Sequence, residues 1–279
     1  MVSIIRKSSE LAIKNLFRIQ YASDLHLEMN NIKDFSKVIK PVAPFLALVG
    51  DIGHIQKLSY RPFFDYVSSE FEKVFYVPGN HEYYSVEPSD TFHKLDVEMK
   101  YFCDSYENIH YLVRNSYKFD HLNVGIIGSP FWTPHFSSTN IQISKNQSLF
   151  SEYSNVLHQV DYTYIDNICR KYKNTYTQTV VLTHFMPSFS LISNKYRNYP
   201  NNHNFASHSD HLFNHNIQCW IYGHTHEASS KTIKNTFCTS NPYGHNNKFQ
   251  TNGFCNQMFV EFKIPSNEDE DYSNNNNNE

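Results

Sequence analysis

The chain has 279 residues, 40% of them hydrophobic and 16% aromatic, enough for one large core and, by length alone, roughly one or two domains. A formal charge of -3 gives no general electrostatic drive towards nucleic acid, and no apolar stretch approaches the ~20 residues that a membrane-crossing helix needs. Cys103, Cys169, Cys219, Cys238 and Cys255 are widely spaced and form no C-x-x-C pair, so they read as reduced thiols and set the expectation of an intracellular, cytoplasmic protein.

The first 16 residues mix Arg6, Lys7, Glu10 and Lys14 with scattered aliphatics. They lack the continuous apolar core and small-residue cleavage site of a secretory signal and read as a short surface helix or frayed arm. Residues 17–22 form the first expected strand, followed by Ser23-Asp24-Leu25-His26. Residues 45–49 form the second, ended by Gly50-Asp51, and residues 74–77 the third, stopping at Pro78-Gly79-Asn80-His81. Runs this short, continuous and apolar suit strands covered on both faces. Residues 61–73 and 90–107 have the length and mixed polarity of connecting helices. Alternating strands and helices of this kind point to a layered α/β architecture.

Further along, residues 109–117 and 122–127 read as strands, and residues 153–172 as a helix after a polar loop. Residues 179–182 form a strand ending at Thr183-His184, and residues 219–222 one ending at Gly223-His224-Thr225-His226. Residues 231–239 and 257–264 resemble antiparallel strands closing the fold. One domain is expected over residues 17–265. From residue 266 the chain is acidic and then nearly pure Asn, a composition that buries no core and reads as disordered.

Each strand-end motif is weak alone. Asp24-x-His26 is three residues long, Gly50-Asp51 and Gly79-Asn80-His81 have the chemistry of ordinary turns, and His184 after an apolar strand resembles a buried core histidine. His224-x-His226 is stronger, because alternate residues of an extended segment project to one side. Together, however, every motif follows a strand, at the carboxyl ends where open α/β sheets build their sites. They supply two aspartates, one asparagine and at least four histidines, an oxygen and imidazole set without thiolate. That set suits Mn, Fe or Zn ions in a reactive site better than a closed structural zinc site.

The order D-x-H, G-D, G-N-H, a lone H and G-H-x-H resembles the signature of calcineurin-like metallophosphoesterases over roughly residues 17–265. The resemblance implies a four-layer α/β/β/α sandwich and a metal-dependent phosphoesterase. Its substrate would be a small phosphate mono- or diester, attacked by a hydroxide bridging two ions. It implies that Asp24, His26 and His226 hold the first ion, that Asn80, His184 and His224 hold the second, and that Asp51 bridges both. Two cations about 3.5–4 Å apart lower the pKa of a shared water and clamp phosphoryl oxygens. Asn80 would be a neutral oxygen ligand, and His81 would protonate the leaving alkoxide or stabilise transition-state charge. The rival from another class is a non-catalytic scaffold on the same fold, for which the intact ligand set and His81 have no use.

Several residues near these motifs read as bystanders. His54 and His135 suit outlying or solvent positions. His208, His211 and His215 fall at helical spacing and suggest a solvated helix face. Tyr83, Tyr84 and Trp132 suit either core packing or an aromatic wall for a substrate group. Asn241-Pro242-Tyr243-Gly244 is a turn without assigned chemistry. The choice between mono- and diester falls to three loops, residues 83–90, 129–160 and 186–206.

Overall fold

The computed structural model describes residues 16–84, 90–134, 141–142, 148–149, 151–173, 175, 178–245 and 252–264. The expected N-terminal arm apart from Leu16, the expected tail, and His135 lie outside those residues.

Two sheets form because most strands are apolar on both faces. The first has the order β13-β1-β2-β3-β4, with β1 at Leu16–Ala22, β2 at Phe45–Val49, β3 at Lys73–Val77, β4 at Ile109–Tyr111 and β13 at Phe259–Lys263. The second has the order β11-β12-β10-β9-β6-β5, with β5 at Asn115–Phe119, β6 at Val124–Gly128, β9 at Gln178–Leu182, β10 at Cys219–Tyr222, β11 at Ser229–Ile233 and β12 at Thr236–Ser240. A short antiparallel pair, β7 (Ile141–Gln142) and β8 (Ser148–Leu149), stands apart from both. Interior pairings are parallel, and the antiparallel strands β13, β11 and β5 take the edges.

The two-residue period of a strand divides each strand between two cores. Phe45, Ala47 and Val49 of β2 and Phe75 and Val77 of β3 meet Val124, Ile126, Val180, Leu182 and Ile221 of the other sheet. The alternate residues Leu46, Leu48, Val74 and Tyr76 pack instead on α1 (Tyr60–Glu70) and α2 (Phe92–Asp104), through Phe63, Phe64, Val67, Leu95 and Met99. On the far side, Ile127, Val181, Trp220 and Tyr222 pack against Ile165, Cys169 and Tyr172 of α3 (Ser151–Lys173). Three cores between four layers make the expected α/β/β/α order. Among the described residues no helix is long and apolar enough to cross a membrane.

Two expected strands divide. The run at 109–117 changes sheets: β4 pairs with β3, and β5 pairs with β6. Between them Arg114 takes a left-handed φ of 49° and its guanidinium meets buried Asp161 of α3 at 2.7 Å. The run at 231–239 folds back on itself as the β11–β12 hairpin. Ile233 pairs with Thr236, so the loop is two residues long, and Lys234 supplies the positive φ that such loops favour. The helices are near their expected places, α1 and α2 ending earlier and α3 starting earlier than composition suggests.

Candidate metal centre

Five strand ends converge on one point. Asp24 and His26 follow β1, Asp51 follows β2, Asn80 and His81 follow β3, His184 follows β9, and His224 and His226 follow β10. Asp24, His26, Asp51, His224 and His226 all have φ between 46° and 66°. Left-handed backbone at residues bearing a Cβ costs on the order of 1–3 kcal/mol each and persists where the surroundings over-determine it. Its concentration at these strand ends marks a site whose geometry is held against local preference. Gly79 is needed for closeness: a Cβ there would collide with Asp51 Oδ1 and the His184 ring.

Four groups of candidate ligand atoms lie within 4.8 Å of one another among the described residues; His26, His226 and His245 form one and His26, Glu28 and His81 another, and the two that share Asp51 are Asp24, His26, Asp51 and His226, and Asp51, His184 and His224. Asn80 joins the latter, its Oδ1 lying 3.2 Å from His184 Nε2. Nitrogen faces nitrogen in each of these two, with His26 Nε2 3.1 Å from His226 Nε2 and His184 Nε2 3.1 Å from His224 Nδ1. Asp24 Oδ1 is buried and 3.2 Å from His226 Nε2, yet receives no hydrogen bond. Buried polar atoms left in this state are costly unless something takes their lone pairs. A cation in each group would do so, and the donors fit metal ions.

Hydrogen bonds behind these atoms aim them. The Val49 carbonyl lies 3.0 Å from His184 Nδ1, turning Nε2 towards the cluster. Asp24 Oδ2 accepts from Ser23 Oγ and from the His224 N–H at 3.0 Å, and Asp51 Oδ1 accepts from the His81 N–H at 2.8 Å. Burial alone would raise Asp51, but His184 and His81 hold it well below the ordinary carboxylate value. Burial would likewise lower His184, but Asp51 holds it up to about 9, while burial and the neighbouring His184 push His224 down to about 3.

Sequence reasoning missed three residues here. Glu82, fully buried, accepts the backbone N–H groups of Asp51 (2.9 Å), Ile52 (2.6 Å) and Gly79 (2.7 Å), tying two motif loops together. Burial and the Asp51 carboxylate push it up to about 7. Its one sequence signal is an acid directly after Gly-Asn-His. Glu82→Ala is expected to orphan these donors at about 1–3 kcal/mol each and, at about 2–4 °C per kcal/mol for a domain of this size, to lower Tm by roughly 6 °C or more. An unshifted thermal melt would remove that role.

Glu28 is the second. Its Oε1 lies 3.1 Å from His81 Nδ1 and 3.3 Å from His26 Nδ1. Against burial, those two imidazoles hold Glu28 down to about 2. Burial opposes a charged His81, but Asp51 and Glu28 hold it above the ordinary histidine value. With Nδ1 engaged by Glu28, the other ring nitrogen is left for the cavity, and Tyr84 stacks on the ring at 4.1 Å.

His245 is the third. Its ring lies 4.1 Å from His26 and 4.2 Å from His226, and its buried Nδ1 has no hydrogen bond. Burial first, then His26, pushes it down to about 3. The turn before it braces the first motif: the Tyr243 and Gly244 N–H groups bond the Ser23 and Asp24 carbonyls at 2.9 and 2.8 Å. Asn241-Pro242-Tyr243-Gly244 therefore shapes the site that its composition did not reveal.

His54 is buried, outside every ligand group, with Nδ1 accepting from the Gln56 N–H at 3.2 Å. His208 and His211 are exposed and His215 is half-buried, as a solvated face requires, but the segment is not an α-helix. The segment Asp210–Asn214 is a short 3-10 helix, His208 stacks on Phe189, His211 contacts the Tyr162 hydroxyl, and His215 bonds Asp166 at 2.7 Å. Tyr83 and Trp132 are core residues packed with Phe92, so of the three aromatics only Tyr84 reaches the open site.

That site opens into a cavity of about 500 Å³ floored by Asp51, Asn80, His81 and His224. Of the three candidate loops, 186–206 supplies most of the wall, and no described residue of 129–160 takes part.

Comparison with known proteins gives concordant results. A family model described as calcineurin-like phosphoesterase matches residues 17–228. An uncharacterised protein of Acanthamoeba polyphaga mimivirus, L509, is 30% identical over 260 residues, covering 82% of this chain and 92% of that protein. Among solved structures, phosphopantetheinyl hydrolase (PptH) from Mycobacterium tuberculosis matches with a TM-score of 0.63 at 16% identity, covering 90% of this chain and 96% of that one. At that identity the match speaks to fold alone.

Proposed function

The chain belongs to the calcineurin-like phosphoesterase family, and on that premise we propose that it hydrolyses phosphate mono- or diesters with the help of two metal ions. The observation that carries this reading is Asp51, whose carboxylate belongs at once to both groups of converging ligand atoms. Asp24, His26 and His226 would hold one ion and Asn80, His184 and His224 the other, with Mn, Fe or Zn suited to the nitrogen and oxygen donors. Two ions bound there would supply a water of lowered pKa as the nucleophile and a clamp on phosphoryl oxygens.

The remaining work falls to the chain's own groups. Asp51 brings negative charge to the point shared by both groups, and its backbone N–H is fixed by Glu82. Asn80 adds a neutral oxygen, which orients without quenching positive charge. His81, held up by Asp51 and Glu28 against burial and oriented by Glu28, is placed to hand a proton to the departing alkoxide. A non-catalytic scaffold on this fold would need neither an oriented His81 nor a cavity at its side.

The test is a parallel hydrolysis panel on protein reconstituted with Mn, Fe or Zn, spanning phosphate monoesters, diesters, cyclic nucleotides, nucleotide anhydrides and single-stranded DNA. Turnover of at least one mono- or diester, dependent on the added ion, is the expected outcome. Inertness towards every phosphoester with metal bound would favour the scaffold.

A further inference from the structure

The cavity is much larger than a phosphoryl group requires, and it falls within the roughly 300–1,000 Å³ typical of small-molecule sites. Its excess volume lies against the segment 186–206, where Leu191, Ile192, Tyr196, Tyr199 and Phe205 form an apolar and aromatic wall. The rings lead away from the metal-ligand cluster in sequence. Phe205 is 4.9 Å from His224, and Tyr199 is 6.4 Å from Phe205. Tyr196 and Tyr199 are 43% and 47% exposed, large rings left open at the cavity instead of packed into a core.

The same cavity is lined by polar side chains as well. Glu227 and Ser193 both belong to its wall, Glu227 directly after His226 in the chain. A carboxylate is an acceptor only, and one at a cavity wall favours an occupant that carries donors. An alkyl or lipid substituent would cover the rings and leave Glu227 unpaired. Inorganic phosphate or a small monoester would leave the wall bare. A substituent with a flat ring face and N–H or O–H donors meets both demands, and a nucleoside carries both. The Glu227 carboxylate also disfavours a substituent bearing further negative charge.

We propose that the segment 186–206 and Glu227 form a nucleoside subsite, so that the preferred substrates are phosphoesters with a nucleoside as one alcohol component. Tyr199 and Tyr196 supply stacking faces, and Glu227 accepts from the sugar or base. This assignment rests on the phosphoesterase reading above, and its test separates the two.

The full chain, reconstituted with Mn, is assayed on three diesters that share a 4-nitrophenolate leaving group and differ in the other substituent: thymidine 5′-yl, methyl and dodecyl. Binding of thymidine 5′-monophosphate and inorganic phosphate to the same protein is measured by calorimetry. The expected kcat/KM for the thymidine ester exceeds that of the methyl ester by about tenfold or more, the scale of one base–aromatic stack. Tyr199→Ala and Glu227→Ala should each shrink that ratio several-fold and weaken nucleotide binding in parallel. Equal rates for thymidine and methyl esters, or preference for the dodecyl ester, would overturn the nucleoside subsite while leaving the phosphoesterase intact. If none of the three diesters turns over, diester hydrolysis with Mn fails and calorimetry alone decides the subsite: nucleotide binding that exceeds phosphate binding and depends on Tyr199 supports it, and equal binding overturns it.

Discussion

Asp51→Asn is expected to abolish turnover of every phosphoester and to release both metal ions, leaving the fold in place. The substitution keeps the shape of the side chain and removes its charge. Asp51 is the one carboxylate within both ligand groups, so the loss falls on the two ions together. Outer ligand-orienting partners cost roughly 10–100-fold in metal affinity or activity when removed; loss of a shared charged ligand should exceed that, by about 10³-fold or more in kcat/KM. Circular dichroism checks the fold, and elemental analysis after gel filtration reads the metal. Substantial activity with two ions retained would take the bridging role away from Asp51.

His81→Ala should behave differently. The imidazole stands beside the metal-ligand cluster and belongs to neither of the two ligand groups that share Asp51, although the His81 backbone N–H bonds the Asp51 carboxylate. Replacing the side chain leaves that backbone donor intact, so metal content should stay as in the parent. Turnover should fall about 10²–10⁴-fold, the range for a removed general acid or base. The deficit should be largest for alkyl esters, whose leaving alkoxide needs a proton, and smallest for 4-nitrophenyl esters. A uniform deficit across leaving groups would point to binding or charge stabilisation. An undiminished rate would end any chemical role.

The fold and the site were legible in the sequence to different depths. The central strands could be read because they are apolar on both faces, and the strand ends carry the ligand-type residues in a recognisable order. The hairpin at Lys234 and the sheet change at Arg114 were not legible, because each turns on left-handed backbone at a residue whose type does not advertise it. Glu82 and Glu28 escaped for another reason. Their work is done through backbone N–H groups and imidazoles contributed from distant segments, which a one-dimensional spacing cannot display. The aromatic wall was sought at Tyr83, Tyr84 and Trp132 and lies chiefly at Tyr196, Tyr199 and Phe205. Tyr83 and Trp132 were absorbed by the core around Phe92, whereas 186–206 is a run of short turns and 3-10 helices with no periodicity to announce its inward face.

Strain and convergence support the same conclusion. Five ligand-type residues sit in left-handed backbone, and a carboxylate oxygen of Asp24 is buried without a donor. Positive charge placed among these atoms would reward that arrangement, and metal binding should therefore stabilise the folded chain.

Metal content after reconstitution is the sharpest measure of a two-ion site in this chain. The protein is stripped with a chelator, incubated separately with Mn, Fe or Zn, desalted, and analysed for bound metal against protein concentration. Two ions per chain, with a thermal melt raised above that of the stripped protein and both effects lost in Asp51→Asn, is the predicted result. Absence of stoichiometric metal under all three conditions would mean that the converging residues hold no metal pair.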